Sequence, residues 1–187
     1  MRIAEQLTQT EVAILSLVNE RETHGYELNE TIEYRGMRDW TDVAFSSIYA
    51  VLNRMEKSKL ISSRLDPSGK GPARKLYRVT KKGRGELLRA VKLYISEPEP
   101  PKSRLSLGAA YIELLHAKEA IECLETYSSQ LQERLSRMKD VREKQHPLPF
   151  GAEIIFDLGV VKANAELEWV VSVTKQLRTR QKVKKNE

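Results

Sequence analysis

Ser47-Ile48-Tyr49-Ala50-Val51-Leu52-Asn53-Arg54-Met55-Glu56-Lys57 is the stretch whose reading decides the fold. Ile48, Val51, Leu52 and Met55 stand at i, i+3, i+4 and i+7, which makes one apolar stripe of an α-helix starting at Ser46 or Ser47. The opposite face carries Ser46, Ser47, Tyr49, Ala50, Asn53, Arg54 and Lys57. Small residues come first, followed by a phenol, an amide and two cations. A helix that enters the DNA major groove needs little bulk at its leading end, donors and acceptors for base edges, and cations for phosphates. A helix face that is only solvated would more often carry Glu–Lys pairs and has no need of a tyrosine and two serines.

The flanking segments fit around this helix. On its N-terminal side, Thr8-Gln9-Thr10-Glu11 offers an N-cap. Val12, Ala13, Ile14, Leu15, Leu17 and Val18 follow with helical spacing, so a first helix is expected to end near Glu20–Arg21. His24-Gly25 reads as a turn. A second helix with Tyr26, Leu28 and Ile32 as its apolar positions ends near Gly36, a C′ glycine. Met37 to Ala44, with Trp40, is a connector. On the C-terminal side, the run from Leu60 to Leu65 and the alternating Arg74-Lys75-Leu76-Tyr77-Arg78-Val79 read as two strands. Asp66 to Ala73 between them is dense in turn residues. Thr80 caps a fourth helix, Lys81 to about Ile95. Three helices, a basic hairpin and a capping helix in this order make a winged helix-turn-helix, with the hairpin as its wing.

Charge is distributed to match. Residues 1–52 carry four basic and nine acidic groups, a net −5, whereas residues 53–95 carry thirteen basic against three acidic, a net +10. Positive charge gathered on one short segment is the electrostatic footprint of a phosphate-binding surface. Lys70, Arg74 and Lys75 place part of it on the wing. DNA contact is therefore expected from Ser46, Ser47, Tyr49, Asn53, Arg54 and Lys57 on the helix and from those three cations on the hairpin.

Pro98, Pro100 and Pro101 interrupt regular structure, because proline lacks the amide donor and fixes φ. Residues 96–104 read as a semi-rigid linker between a DNA-binding domain at 1–95 and a second domain at 105–181, with 182–187 as a basic tail. Leu107 to Leu115 reads as one helical piece. Ala117, Ile121, Leu124, Ser128, Leu131, Leu135 and Met138 then repeat at spacings of 4 and 3, a heptad seam. Pro147 and Pro149 end that helix. A last helix, about Gly151 to Gln181, places Ile154, Leu158, Val161, Ala165, Trp169, Val173 and Leu177 on one face. Two such helices cannot bury both stripes well alone, and a four-helix arrangement across two protomers would. Ile121, Leu124, Leu131, Leu135, Met138, Leu158 and Trp169 are the expected dimer contacts. The fold class is mainly α: a winged helix-turn-helix joined to a C-terminal helical dimerisation domain.

The totals exclude other classes. At 40% hydrophobic and 31% charged residues, the chain of 187 residues is globular. Its single cysteine, Cys123, cannot form an internal disulfide. The start, MRIAEQLTQTEVAI, lacks the apolar run of a signal peptide, and no stretch reaches the roughly 20 apolar residues of a membrane span, so a cytoplasmic protein with no membrane partner is expected. His24, His116 and His146 lie in separate segments, and there is no CxxC, HExxH, P-loop or GxSxG. Neither catalysis nor a metal or other cofactor is expected. A helical adaptor would explain the heptads but not the +10 segment.

The sequence resembles the PadR family of bacterial transcription regulators. The likeness is carried by His24-Gly25-Tyr26-Glu27-Leu28, by Trp40, and by the run from Ser47 to Ile61. Gly71-Pro72-Ala73-Arg74-Lys75-Leu76-Tyr77-Arg78-Val79-Thr80 continues it, with Lys82-Gly83-Arg84 and Leu87. The C-terminal half resembles the longer subgroup, whose C-terminal domain is like that of a virulence activator, through Phe150-Gly151, Leu158-Gly159 and Glu168-Trp169. Lys59 departs from the family pattern, which has glycine there, so a looser helix end is expected. The resemblance implies a repressor that binds a pseudo-palindromic operator as a homodimer, with a small aromatic or cationic effector. Trp40, Tyr111, Phe156 and Trp169 are candidate effector contacts, although no motif specifies such a ligand and the same aromatics would serve a core. A DNA binder without effector response is the alternative.

Overall fold

The computed structural model describes residues 6–44, 48–67, 74–98 and 103–185, the last four as backbone only. Ser46, Ser47, Lys70, the tip of the hairpin and the middle of the expected linker lie outside them. The chain forms two compact units that divide at residues 99 and 100.

The first unit opens with α1 (Gln9–Glu20). A reciprocal capping box starts it: Glu11 N–H donates to Thr8 Oγ1 at 3.2 Å, and Thr8 N–H donates to the Glu11 carboxylate at 2.9 Å. Next come β1 (Thr23–His24), α2 (Gly25–Tyr34), a 3-10 turn at Met37–Asp39 and α3 (Ile48–Lys57). β2 (Ile61–Asp66), β3 (Arg74–Val79) and α4 (Lys81–Ser96) complete it. Ile48, Val51, Leu52 and Met55 point inward as their spacing requires, into a cluster with Ile14, Leu15, Val18, Leu28, Ile32, Ile61, Tyr77 and Leu87. Gly36 ends α2 at φ 60°, as a C′ glycine should.

Two local features differ from the sequence reading. Thr23-His24 is a strand, not only a turn: it pairs antiparallel with β3, Thr23 opposite Tyr77 and His24 opposite Leu76. The sheet order is β1-β3-β2, so the basic strand β3 is central. Two residues are too few to show a period of two, and the pairing exists only because β3 offers its second edge. The other difference is at Lys59, where the helix closes tightly without glycine. Lys59 has φ 60°, Leu60 N–H reaches Met55 O at 2.9 Å, and Lys59 N–H reaches Glu56 O at 3.0 Å. This is the Schellman pattern, with Met55 and Leu60 both buried in the same apolar cluster. A lysine in the left-handed region costs about 1–2 kcal/mol, which the surrounding bonds must offset.

Those bonds come from the start of α4. Thr80 N–H donates to Leu60 O at 3.0 Å, its hydroxyl donates to Lys59 O at 2.7 Å, and Lys82 Nζ donates to Ser58 O at 2.8 Å. Thr80 Oγ1 also accepts from Gly83 N–H at 3.0 Å. The helices meet so closely that a Cβ on Gly83 would lie 1.9 Å from Leu60 O. Glycine is required there for space, and the joint fixes the base of the hairpin to the end of α3.

The second unit contains α5 (Arg104–Ala110), a 3-10 turn at Ile112–Leu114, α6 (Ala117–Lys144) and α7 (Phe150–Lys185). The piece expected at Leu107–Leu115 starts earlier, capped by Ser103, and breaks at Tyr111. The last helix continues one turn beyond Gln181, through the first four residues of the expected tail. α6 and α7 form an antiparallel hairpin. Arg178–Glu125 at 2.8 Å, Tyr127–Glu166, Arg142–Asp157 at 3.1 Å and Arg142–Glu153 set its register. Burial, and then the bond to Glu166, push the Tyr127 phenol up to about 12. Gly159 gives room to Met138, whose methyl would lie 2.3 Å from a Cβ at that position.

This hairpin takes up part of the heptad seam within one chain. Leu124 and Leu131 are already buried in the single chain, together with Ala120 and with Ala163, Val170 and Thr174 of α7. Ile121, Leu135 and Met138 are half-buried. Leu124 and Leu131 of the seam thus join α6 to α7 of the same chain. Heptad spacing calls for a helical partner but does not say whose. Leu158 of α7 remains 54% exposed and Val161 65%, and Ile154 and Trp169 are exposed beside them.

Candidate nucleic-acid interface

α3 is held by its buried stripe, so its opposite face points outward. Tyr49, Asn53, Arg54 and Lys57 are all exposed. At 100° per residue, Ala50, Asn53 and Lys57 centre that face, Tyr49 flanks it on one side and Arg54 on the other. Asn53 and Lys57 have no partner among the described residues. The other two are engaged. The Tyr49 ring lies against Gly25 so closely that a Cβ there would come within 2.7 Å of it. The Arg54 Nε–H donates to Glu11 at 2.8 Å.

The hairpin reaches the same surface. Arg74 lies over the Tyr26 ring, 4.9 Å from its centroid, a cation–π contact. His24 stacks on the other partner of this group: its ring and that of Tyr26 are 5.6 Å apart and 12° from parallel. His24 Nδ1 lies 3.1 Å from Lys75 O, and Nε2 lies 3.3 Å from Asp66. The start of α2 is thus tied to both hairpin strands. Lys75 donates to Glu56 of α3 at 2.8 Å, and Ser63 donates to the same carboxylate. The Lys75 bond, then that of Ser63, hold the Glu56 carboxyl below its ordinary range, and Glu56 raises Lys75 in turn. Together these residues line an open groove of about 590 Å³, formed by His24, Gly25, Tyr26, Tyr49, Arg74, Lys75 and Tyr77. Its chemistry is aromatic and cationic, which suits a sugar–phosphate strand.

The structure therefore brings Tyr49, Asn53, Arg54, Lys57, Arg74 and Lys75 to one unit. Sequence reasoning missed Glu11, Glu56 and Asp66, acids that hold those cations and the adjacent histidine from 19 to 43 positions away. No local pattern marks such partners. His24, Gly25 and Tyr26 read in the sequence as a turn, as an apolar helix position and as part of a family likeness, not as lining of this groove.

The aromatic residues expected to contact an effector are divided between the two units. Trp40 lies exposed on the connector of the first unit, Tyr111 and Trp169 are exposed in the second, and Phe156 is half-buried there. A groove of about 520 Å³ between α6 and α7 is lined instead by Glu125, Ser128, Val170, Thr174, Arg178 and their neighbours. Among the described residues no acidic, His and Cys groups are placed to hold a metal, and no helix is long and apolar enough to cross a membrane.

A profile of the family described as transcriptional regulator PadR-like matches residues 14–89, from α1 through most of α4. The chain belongs to the PadR-like family. The negative transcriptional regulator PadR of Bacillus subtilis is 27% identical over 141 residues, 75% of each chain. Its crystal structure with operator DNA superposes at TM-score 0.74 with 22% identity, covering 89% of this chain and 98% of that one. Its structure with p-coumaric acid gives the same TM-score at 20% identity, covering 91% and 99%. The Vibrio cholerae virulence activator AphA shares the fold at TM-score 0.72 and 14% identity, covering 91% and 99%. This PadR-like chain is a transcription regulator, and its matched relatives are regulators, not enzymes.

Proposed function

We propose that this PadR-like regulator is a repressor that reads a pseudo-palindromic operator as a two-fold homodimer. One observation carries the reading: a helix with a fully buried stripe turns Ala50, Asn53 and Lys57 outward, between the partly held Tyr49 and Arg54. An amide on such a face can pair with adenine N6 and N7, and the cations with phosphates or guanine. Ser46 and Ser47 precede it on the leading end. Lys70, Arg74 and Lys75 contact phosphates or the minor groove from the hairpin. B. subtilis PadR, a negative regulator crystallised with operator DNA, supports the reading.

One winged domain spans few base pairs, and two related by a dyad read half-sites about a helical turn or a multiple apart. The exposed α7 face with Ile154, Leu158, Val161 and Trp169 is the proposed contact between protomers. The α6 seam supports that face from behind. A small aromatic acid is the proposed effector, on the p-coumaric acid complex of B. subtilis PadR, with Trp40, Tyr111, Phe156 and Trp169 as its candidate contacts. The site of action is the cytoplasm, where the DNA is.

The test is operator selection from a randomised duplex pool by wild type and by Asn53→Ala. The variant should lose about 1–3 kcal/mol of discrimination at one base pair per half-site. An unchanged selected sequence with a folded Asn53→Ala protein would remove α3 as the reading element.

A further inference from the structure

The capping box of α1 contains a carboxylate that does more than cap. Glu11 is the third residue of that helix, its side chain only 11% exposed. One oxygen accepts from Thr8 N–H at 2.9 Å and from the Thr8 hydroxyl at 3.1 Å. The other accepts from Arg54 Nε–H at 2.8 Å, across 43 positions of sequence. Arg54 itself remains 56% exposed. A guanidinium is planar and offers five N–H donors in a rigid fork. Fixing Nε on a buried acid removes most of the freedom of a long side chain and leaves the donors on the two terminal nitrogens for another acceptor. Burial would push the Glu11 carboxyl up, but the bonds from Thr8 and Arg54 outweigh it and hold the carboxyl below its ordinary range. The anchor is therefore charged at neutral pH.

We propose that Glu11 is a positioning residue for operator binding: it holds Arg54 through Nε on the flank of α3 beside Asn53 and presents the terminal nitrogens to DNA. This inference rests on α3 as the reading helix. Pre-ordering the side chain lowers the conformational cost of each DNA contact it makes. It also links the start of α1 to the reading surface, although α1 contributes no residue to that surface.

The experiment uses the full chain, an operator duplex and a scrambled duplex, titrated at several salt concentrations. Glu11→Gln keeps an acceptor for Thr8 but loses the charge that holds Arg54, and should weaken operator binding about tenfold, as the loss of one charge-assisted bond does. Thr8→Ala loosens the same helix cap while leaving the Glu11–Arg54 pair intact, and should leave affinity unchanged at a temperature where both variants are folded. In an Arg54→Ala background Glu11→Gln should have no further effect. If Arg54 meets a base, Arg54→Ala lowers the ratio of operator to scrambled affinity. If it meets a phosphate, both affinities fall and the slope of log K against log salt flattens by about one.

Glu11→Gln with unchanged or tighter operator binding overturns the proposal, the second result meaning that the acid withholds the arginine. So does an equal loss in both Arg54 backgrounds. Should Asn53→Ala and Arg54→Ala both leave operator binding intact, α3 is not the reading helix, and the positioning role falls with it.

Discussion

In the first unit the apolar faces of four helices and a three-stranded sheet meet in one cluster, with Ile14, Leu15, Ile32, Leu52 and Met55 fully buried. Among the described residues, the α6–α7 hairpin buries only Ala120, Leu124, Leu131, Ala163, Val170 and Thr174, although it is built from two long helices. The difference is geometric. Elements arriving from several directions enclose a core, whereas two antiparallel helices cover only one face of each other. α7 carries apolar residues on a second face, and Leu158 and Val161 remain over half exposed there. A contiguous apolar face of this kind marks an association surface. The lesson is a division of labour. The first unit encloses its core within one chain, whereas the helical unit leaves an apolar face that the proposed second copy would cover.

The strongest way to break this contrast is to charge the open face of α7. Leu158→Asp with Val161→Asp should give a monomer by sedimentation equilibrium and weaken operator binding about 100-fold or more, since two linked half-site contacts become one. Far-UV dichroism and the unfolding of the first unit should be unchanged. A dimer that persists in the double variant would show that a different face joins the protomers.

Gly83→Ala attacks the complete unit. The added methyl meets a backbone carbonyl that cannot turn aside, so the first unit should lose about 3 kcal/mol or more in denaturant melts. Self-association through α7 should survive.

Lys59→Gly should move the same unit the other way by about 1 kcal/mol, because glycine adopts φ 60° without the Cβ penalty. Operator affinity should stay within a factor of two or so, unless the lysine itself meets a phosphate. A lower midpoint would mean that the Lys59 side chain contributes more than its backbone costs.

The smallest effect is acid sensitivity confined to the first unit. The bond from His24 N–H lowers the Glu27 carboxyl, with burial opposing it and the Thr23 hydroxyl helping. A depressed native value means that this stabilisation is present above the ordinary carboxylate range and lost as pH falls through the native value. Glu27→Gln should flatten the acid limb of the first unit's stability profile and leave dimerisation unaffected. An unaltered limb would place the acid sensitivity on other carboxylates.

What could be read in advance was whatever depends on near neighbours in sequence. The stripe of Ile48, Val51, Leu52 and Met55, the cap at Thr8, the glycine at 36 and the alternation of β3 are set by 3.6-residue and 2-residue periods and by single-residue conformational preference. They were enough to order the winged helix-turn-helix and to place Asn53 and Lys57 outward. Tertiary structure alone decided the partners. It chose β1 as the third strand, Glu11 for Arg54, Glu56 for Lys75, and α7 of the same chain for part of the heptad seam. A period records that a face must be covered. It does not record by what, because burial and ion pairing are satisfied by any suitable group that the fold brings near.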